Sequence, residues 1–199
     1  MKLSKYALLV ASGLMVSAGA MAGQTVSSGG TGTVNIDGTI RNATCSINVP
    51  KAAVSFEASK ADIDKAAAKA VLATVPLTVS VSDCSNQSLE FTAVATTKDQ
   101  SAPEMGQFDS GDTGHALGYY VGFKSGAGVT GGDTTTVSGT NLVTLDNSPN
   151  KTPLTLKSTA ASASYTINNI IVKAKTGASA LAGDNGKVAA KYNYTFTYN

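Results

Sequence analysis

The chain has 199 residues, with 15 Lys and Arg against 13 Asp and Glu and a formal net charge of +2 at pH 7. Only 14% of its residues are charged, there is no Trp, and Arg41 is the one arginine. A surface so balanced offers no basic stripe for nucleic acid and no patch for an acidic membrane, and its weak self-repulsion suits a subunit meant to associate.

Lys2 and Lys5 precede an apolar stretch from Tyr6 to Val16, which leads to Ala20-Met21-Ala22 ahead of Gly23. A basic start, a short apolar segment and an A-x-A site describe a secretory signal peptide, so residues 1–22 are read as one. A transmembrane anchor needs ~20 continuous apolar residues, and Ser12, Gly13, Ser17 and Gly19 interrupt this segment. Export removes Lys2 and Lys5 and leaves residues 23–199 formally neutral, a length that supports one domain with a hydrophobic core.

Residues 23–33 are rich in Gly, Ser and Thr, bury little apolar surface, and are expected to be mobile in an isolated subunit. From Val34 the pattern alternates. Val34, Ile36, Gly38 and Ile40 share one parity and Asn35, Asp37, Thr39 and Arg41 the other, a one-faced strand with a gap at Gly38. Ile47 to Phe56 alternates more weakly, with Pro50 marking a turn or an edge. Within residues 58–73 a turn or two of helix packed on the sheet is predicted, mainly on alanine propensity, although the like charges Lys65 and Lys69 offset part of the gain from Lys60 with Asp64.

Beyond them the chain returns to strand patterns. Leu77, Val79 and Val81 alternate up to Cys84, Phe91, Ala93 and Ala95 follow, and Leu117, Tyr119, Val121 and Phe123 share a parity. Further strands are predicted at 141–146, 153–157 and 164–175, the last with a parity slip between Ile167 and Ile170 of the kind a bulge makes. Turn-rich segments at 97–115, 125–140, 146–152 and 176–186 separate them, and many short strands punctuated in this way describe a β-sandwich. At the C-terminus Val188, Ala190, Tyr192, Tyr194, Phe196 and Tyr198 fall on one parity, an aromatic strand face that needs cover.

Cys45 and Cys84 are the two cysteines, 39 positions apart. In an oxidising compartment a disulfide between them is the default reading; metal or redox roles lack both C-x-x-C spacing and histidines beyond His115. His115 lies in a polar loop and is read as a solvated side chain. Asp109, Asp112 and Asp133 form no D-x-D-x-D-G loop, so no metal site is expected. Nor is an enzyme expected: one loop histidine and no nucleophile elbow give acid–base or nucleophilic chemistry little to work with, and no cofactor is implied.

Three features together resemble the pilin subunits of chaperone–usher fimbriae of the type 1 kind. They are the alternating strand Val34 to Ile40 with Gly38 seven residues before Cys45, the pair Cys45 and Cys84, and the C-terminal strand with Gly186 fourteenth from the end and Tyr198 penultimate. The resemblance implies an all-β, incomplete immunoglobulin-like β-sandwich completed by donor-strand exchange, divided into a signal peptide (1–22), an N-terminal extension with the donor strand (23–41) and a pilin domain (42–199). It further implies that Gly186, Val188, Ala190, Tyr192, Tyr194, Phe196 and Tyr198 border a groove covered first by a periplasmic chaperone. On the same likeness, Val34, Ile36, Gly38 and Ile40 fill the groove of a neighbouring pilin subunit after passage through an outer-membrane usher, giving an adhesive fimbrium at the cell surface. The alternative is a minor adaptor or an adhesive binding subunit of the same fibre; tip adhesins of this family carry an additional lectin domain, for which this chain has no room.

Overall fold

The computed structural model describes residues 31–33, 45–50, 53–84, 87–133, 136–150, 152–175 and 187–198. The expected signal peptide, the donor-strand residues Val34, Ile36, Gly38 and Ile40, and Gly186 lie outside the described residues.

In chain order the elements are β1 (Thr31–Thr33), β2 (Ser46–Asn48), β3 (Ala53–Ser55), α1 (Lys60–Lys65), β4 (Val71–Ser82), β5 (Ser88–Ala95), β6 (Gly106–Gln107) and β7 (Leu117–Lys124). They continue with β8 (Val129–Thr130), β9 (Thr136–Val137), β10 (Thr140–Leu142), β11 (Leu154–Lys157), β12 (Ser162–Lys173) and β13 (Tyr192–Tyr198). One sheet runs β2-β4-β12-β7-β10-β9 with β6 added to β7, and a second runs β13-β5-β11-β8. All the pairings are antiparallel.

The core forms where the alternating faces meet. Leu77, Val79 and Val81 of β4, Tyr165 and Ile167 of β12, and Leu117, Val121 and Phe123 of β7 pack with Leu89 and Phe91 of β5, Leu154 and Leu156 of β11, and Tyr194 and Phe196 of β13. Antiparallel sheets of this kind usually leave one face to solvent. Here the outer face of the larger sheet is also partly covered, because Met105, Tyr120, Leu142, Ile170 and Val172 form a second buried cluster.

That second cluster corrects the reading of β12. The β12–β4 register runs unbroken from Ser162 to Ile171 and shifts only between Ile171 and Val172. Ile167 and Ile171 face the main core while Ile170 and Val172 face the outer cluster. Alternation is intact, and the apparent slip at Ile167 to Ile170 arises because both faces are buried.

The helix is the turn or two predicted within residues 58–73. Ser59 caps it, its Oγ accepting from the Asp62 N–H at 3.0 Å, and Lys60 pairs with Asp64. Helical backbone stops at Lys65, with Ala66 extended and Lys69 at φ 65°. The Lys69 N–H donates to the Lys173 carbonyl at 2.7 Å and the Lys173 N–H donates to Ala70 at 3.0 Å, so the end of β12 captures the chain as strand. Tertiary pairing overrides the alanine propensity of residues 66–73, which is worth only tenths of a kcal/mol per residue (~0.5 or less).

Cys45 and Cys84 form a disulfide, with Cα atoms 4.6 Å apart. It ties the residue before β2 to the end of β4, where the Ser46–Ser82 pair begins the ladder. Replacing both cysteines by Ala is expected to destabilise the domain by about 4 kcal/mol, a figure set by loop-closure entropy. The urea midpoint of the double variant should fall by roughly 2 M, and an unchanged midpoint would show the link to be dispensable.

Candidate functional site

β13 ends its sheet, with β5 as its strand neighbour among the described residues in the register Tyr192–Ala95, Tyr194–Ala93, Phe196–Phe91 and Tyr198–Leu89. β2 ends the larger sheet, and β3 belongs with β1 to a separate two-stranded sheet. At one end the two sides are tied together: the Tyr198 hydroxyl donates to the Cys45 carbonyl at 2.7 Å. At the other they part around a small apolar cleft of about 30 Å³, lined by Val54, Phe56, Phe108, Tyr119, Asn169, Ile171, Ala190 and Tyr192.

Each wall has its own origin. Val54 and Phe56 come from β3 and the residue just past it. Phe108 leaves the 97–115 segment to contact Phe56 and Tyr119, both with ring centroids 5.9 Å away. Tyr119 in turn meets Tyr192 at 6.3 Å. Ala190 is placed by a short antiparallel contact between Ser110 and Ala189, in which the Asp109 N–H donates to the Ala189 carbonyl at 2.7 Å. Gly111 makes that approach feasible: its φ is +79°, and a Cβ there would lie 1.8 Å from the Lys187 carbonyl oxygen.

Polar atoms at the base of the cleft are satisfied. The Tyr192 hydroxyl donates to Asn169 Oδ1 at 2.9 Å, Asn169 Nδ2 donates to the Val75 carbonyl at 3.1 Å, and the Tyr119 hydroxyl donates to the Lys191 carbonyl at 3.0 Å. Burial raises the pKa of both phenols, which stay protonated and neutral. The cleft therefore presents apolar side chains over a closed hydrogen-bond network.

The predicted C-terminal stripe divides between two environments. Val188, Ala190, Tyr192, Tyr194 and Phe196 are all buried, and Tyr198 is half-buried. Ala190 and Tyr192 line the cleft, whereas Tyr194 and Phe196 pack on Phe91 at 5.9 and 5.1 Å. Val54, Phe56, Phe108 and Asn169 were not anticipated from sequence. Phe108, the one aromatic in a segment of Gly, Asp and Ser, is the only one whose context marks it out.

The acidic residues considered for metal have other roles. Asp112 accepts from the Ala116 and Leu117 N–H groups at 2.9 and 2.7 Å, and Asp109 accepts from the Thr97 hydroxyl. They fasten the loop that carries Phe108 and the entry to β7.

No family model matches the sequence, and no curated protein matches it. Solved structures do. The P pilus rod subunit PapA superposes with a TM-score of 0.53 at 15% identity, covering 79% of this chain and 100% of that one. A subunit from the structure of a chaperone–usher pilus concerned with rod uncoiling gives 0.55 at 17% identity, covering 89% of this chain and 100% of that one. The chain has the immunoglobulin-like β-sandwich fold of these pilus subunits.

Proposed function

We propose that this chain is a structural subunit of a chaperone–usher fibre, exported through the periplasm to the cell surface and polymerised by donor-strand complementation. The observation that carries the reading is the apolar cleft between β3 and β13, open where one sheet ends. An edge strand leaves backbone groups unpaired and is prone to pair with any available strand, and Val54 across from it is only half-buried. A strand supplied from outside satisfies both the backbone and the side chains, which is β-strand addition.

The chain carries such a strand. Val34, Ile36 and Ile40 would insert into a neighbour's cleft, with Gly38 permitting close backbone approach. Burying each Val or Ile contributes about 1.5–3 kcal/mol, so a junction of several dissociates slowly without any covalent bond. A periplasmic chaperone lends a strand first and an outer-membrane usher oversees the exchange; association, with no chemical transformation, is the function.

Electron microscopy of cells producing the chain together with a cognate chaperone and usher is expected to reveal surface fibres labelled by antibody against the subunit. Accumulation of a soluble, unlinked monomer under those conditions would overturn the reading.

A further inference from the structure

The Gly/Ser/Thr-rich segment expected to be mobile is ordered at its end. β1 pairs antiparallel with β3 in the register Thr31–Ser55, Gly32–Val54 and Thr33–Ala53, and this is the only strand pairing β3 makes among the described residues. β3 is also a wall of the cleft: Val54, opposite Gly32, and nearby Phe56 stand across from Ala190 and Tyr192. A donor strand covering the cleft has to lie against β3, where β1 already hydrogen-bonds.

We infer that β1 is a latch in cis, holding β3 until an incoming strand displaces it. The inference rests on the donor-strand reading of the cleft. β1 has the sequence Thr-Gly-Thr, so it can satisfy backbone groups of β3 but brings no Val, Ile or Leu to the half-buried Val54. A donor strand such as residues 34–40 offers the same backbone ladder together with apolar side chains. Displacement is therefore downhill, while a strand of poor apolar content gains too little to compete.

Being tethered, β1 acts at an effective concentration in the ~mM range set by the short connection from Thr33 to Ala53, well above that of a dilute neighbour. The fraction of subunits with β3 open sets the apparent affinity for a donor. The latch thus suppresses chance pairing of dilute subunits and is overcome where subunits are delivered side by side.

The test measures capture of a fluorescent peptide with the sequence of residues 34–41 by the mature subunit, by anisotropy at low subunit concentration. Deleting residues 23–33 is expected to speed capture about tenfold, the factor that one or two backbone hydrogen bonds carry. In a second variant, Gly32→Cys with Val54→Cys places thiols at directly paired positions. Its oxidised form should capture the peptide more slowly than the Val54→Cys single variant. Equal rates for the wild type and the deletion variant, with capture intact in both, would overturn the latch alone. No capture by any variant would overturn the donor-strand reading and the latch with it.

Discussion

On the proposed donor-strand reading, a chain lacking residues 23–40 is expected to bind a chaperone, join a growing fibre once, and stop it. The deletion leaves every residue of the cleft in place, since the walls run from Val54 to Tyr192. The variant therefore still accepts a strand and has none to give. Val34, Ile36 and Ile40 together contribute roughly 5–9 kcal/mol of apolar burial to a junction, so their loss weakens the link by about four to six orders of magnitude. No residual elongation should be detectable. Mixed with wild type in rising proportion, the variant should shorten fibres in electron micrographs in step with its share of the pool. Fibres of normal length from the variant alone would place the polymerising strand elsewhere. The outcome also separates donor from latch, because deleting 23–33 keeps Val34 to Ile40 and is expected to leave polymerisation intact.

Legibility of the fold in the sequence follows from how local each cause is. β7 and β13 were readable because their core-facing residues, Leu117 to Phe123 and Tyr192 to Phe196, repeat with a period of two. The disulfide was readable because Cys45 has one possible partner. β12 was misread at Ile170, where the cause is distant: Met105, from a turn-rich segment, helps cover the outer face, so residues of both parities are apolar. The short helix was readable because propensity is local, whereas the point where it ends was not, because the capture of Lys69 and Ala70 by β12 depends on a pairing about a hundred residues away in sequence. The cleft draws Val54, Phe108, Asn169 and Tyr192 from four separate segments, and no spacing rule joins them. β7 and β13 carried patterns of their own, and each supplies one wall residue, Tyr119 and Tyr192.

Phe91→Ala is expected to cost the isolated subunit about 3–5 kcal/mol, the range for emptying a buried aromatic site. Phe91 is fully buried on β5, paired with Phe196 on one side and Leu154 on the other. Its ring lies 5.0 Å from Phe123 in an edge contact, 5.1 Å from Phe196 and 5.9 Å from Tyr194. Each such contact adds about 0.5–1.5 kcal/mol beyond area burial, and no neighbouring backbone is free to collapse into the space, because β13 and β11 are held by their ladders. A domain of this size has only ~5–15 kcal/mol in total. The urea midpoint should therefore fall by roughly 2 M, against a change within about 0.5 kcal/mol for Thr92→Ala on the exposed face. A loss below about 1 kcal/mol for Phe91→Ala would mean that the cluster relaxes around the missing ring. Phe91 also anchors the strand that borders the cleft. Its removal frees Tyr194 and Phe196, so β13 loses its fixed register beside the cleft even where the rest of the sandwich survives. Chaperone capture should then weaken together with stability. In Thr92→Ala, where β13 keeps its aromatic anchor, both should stay near wild type.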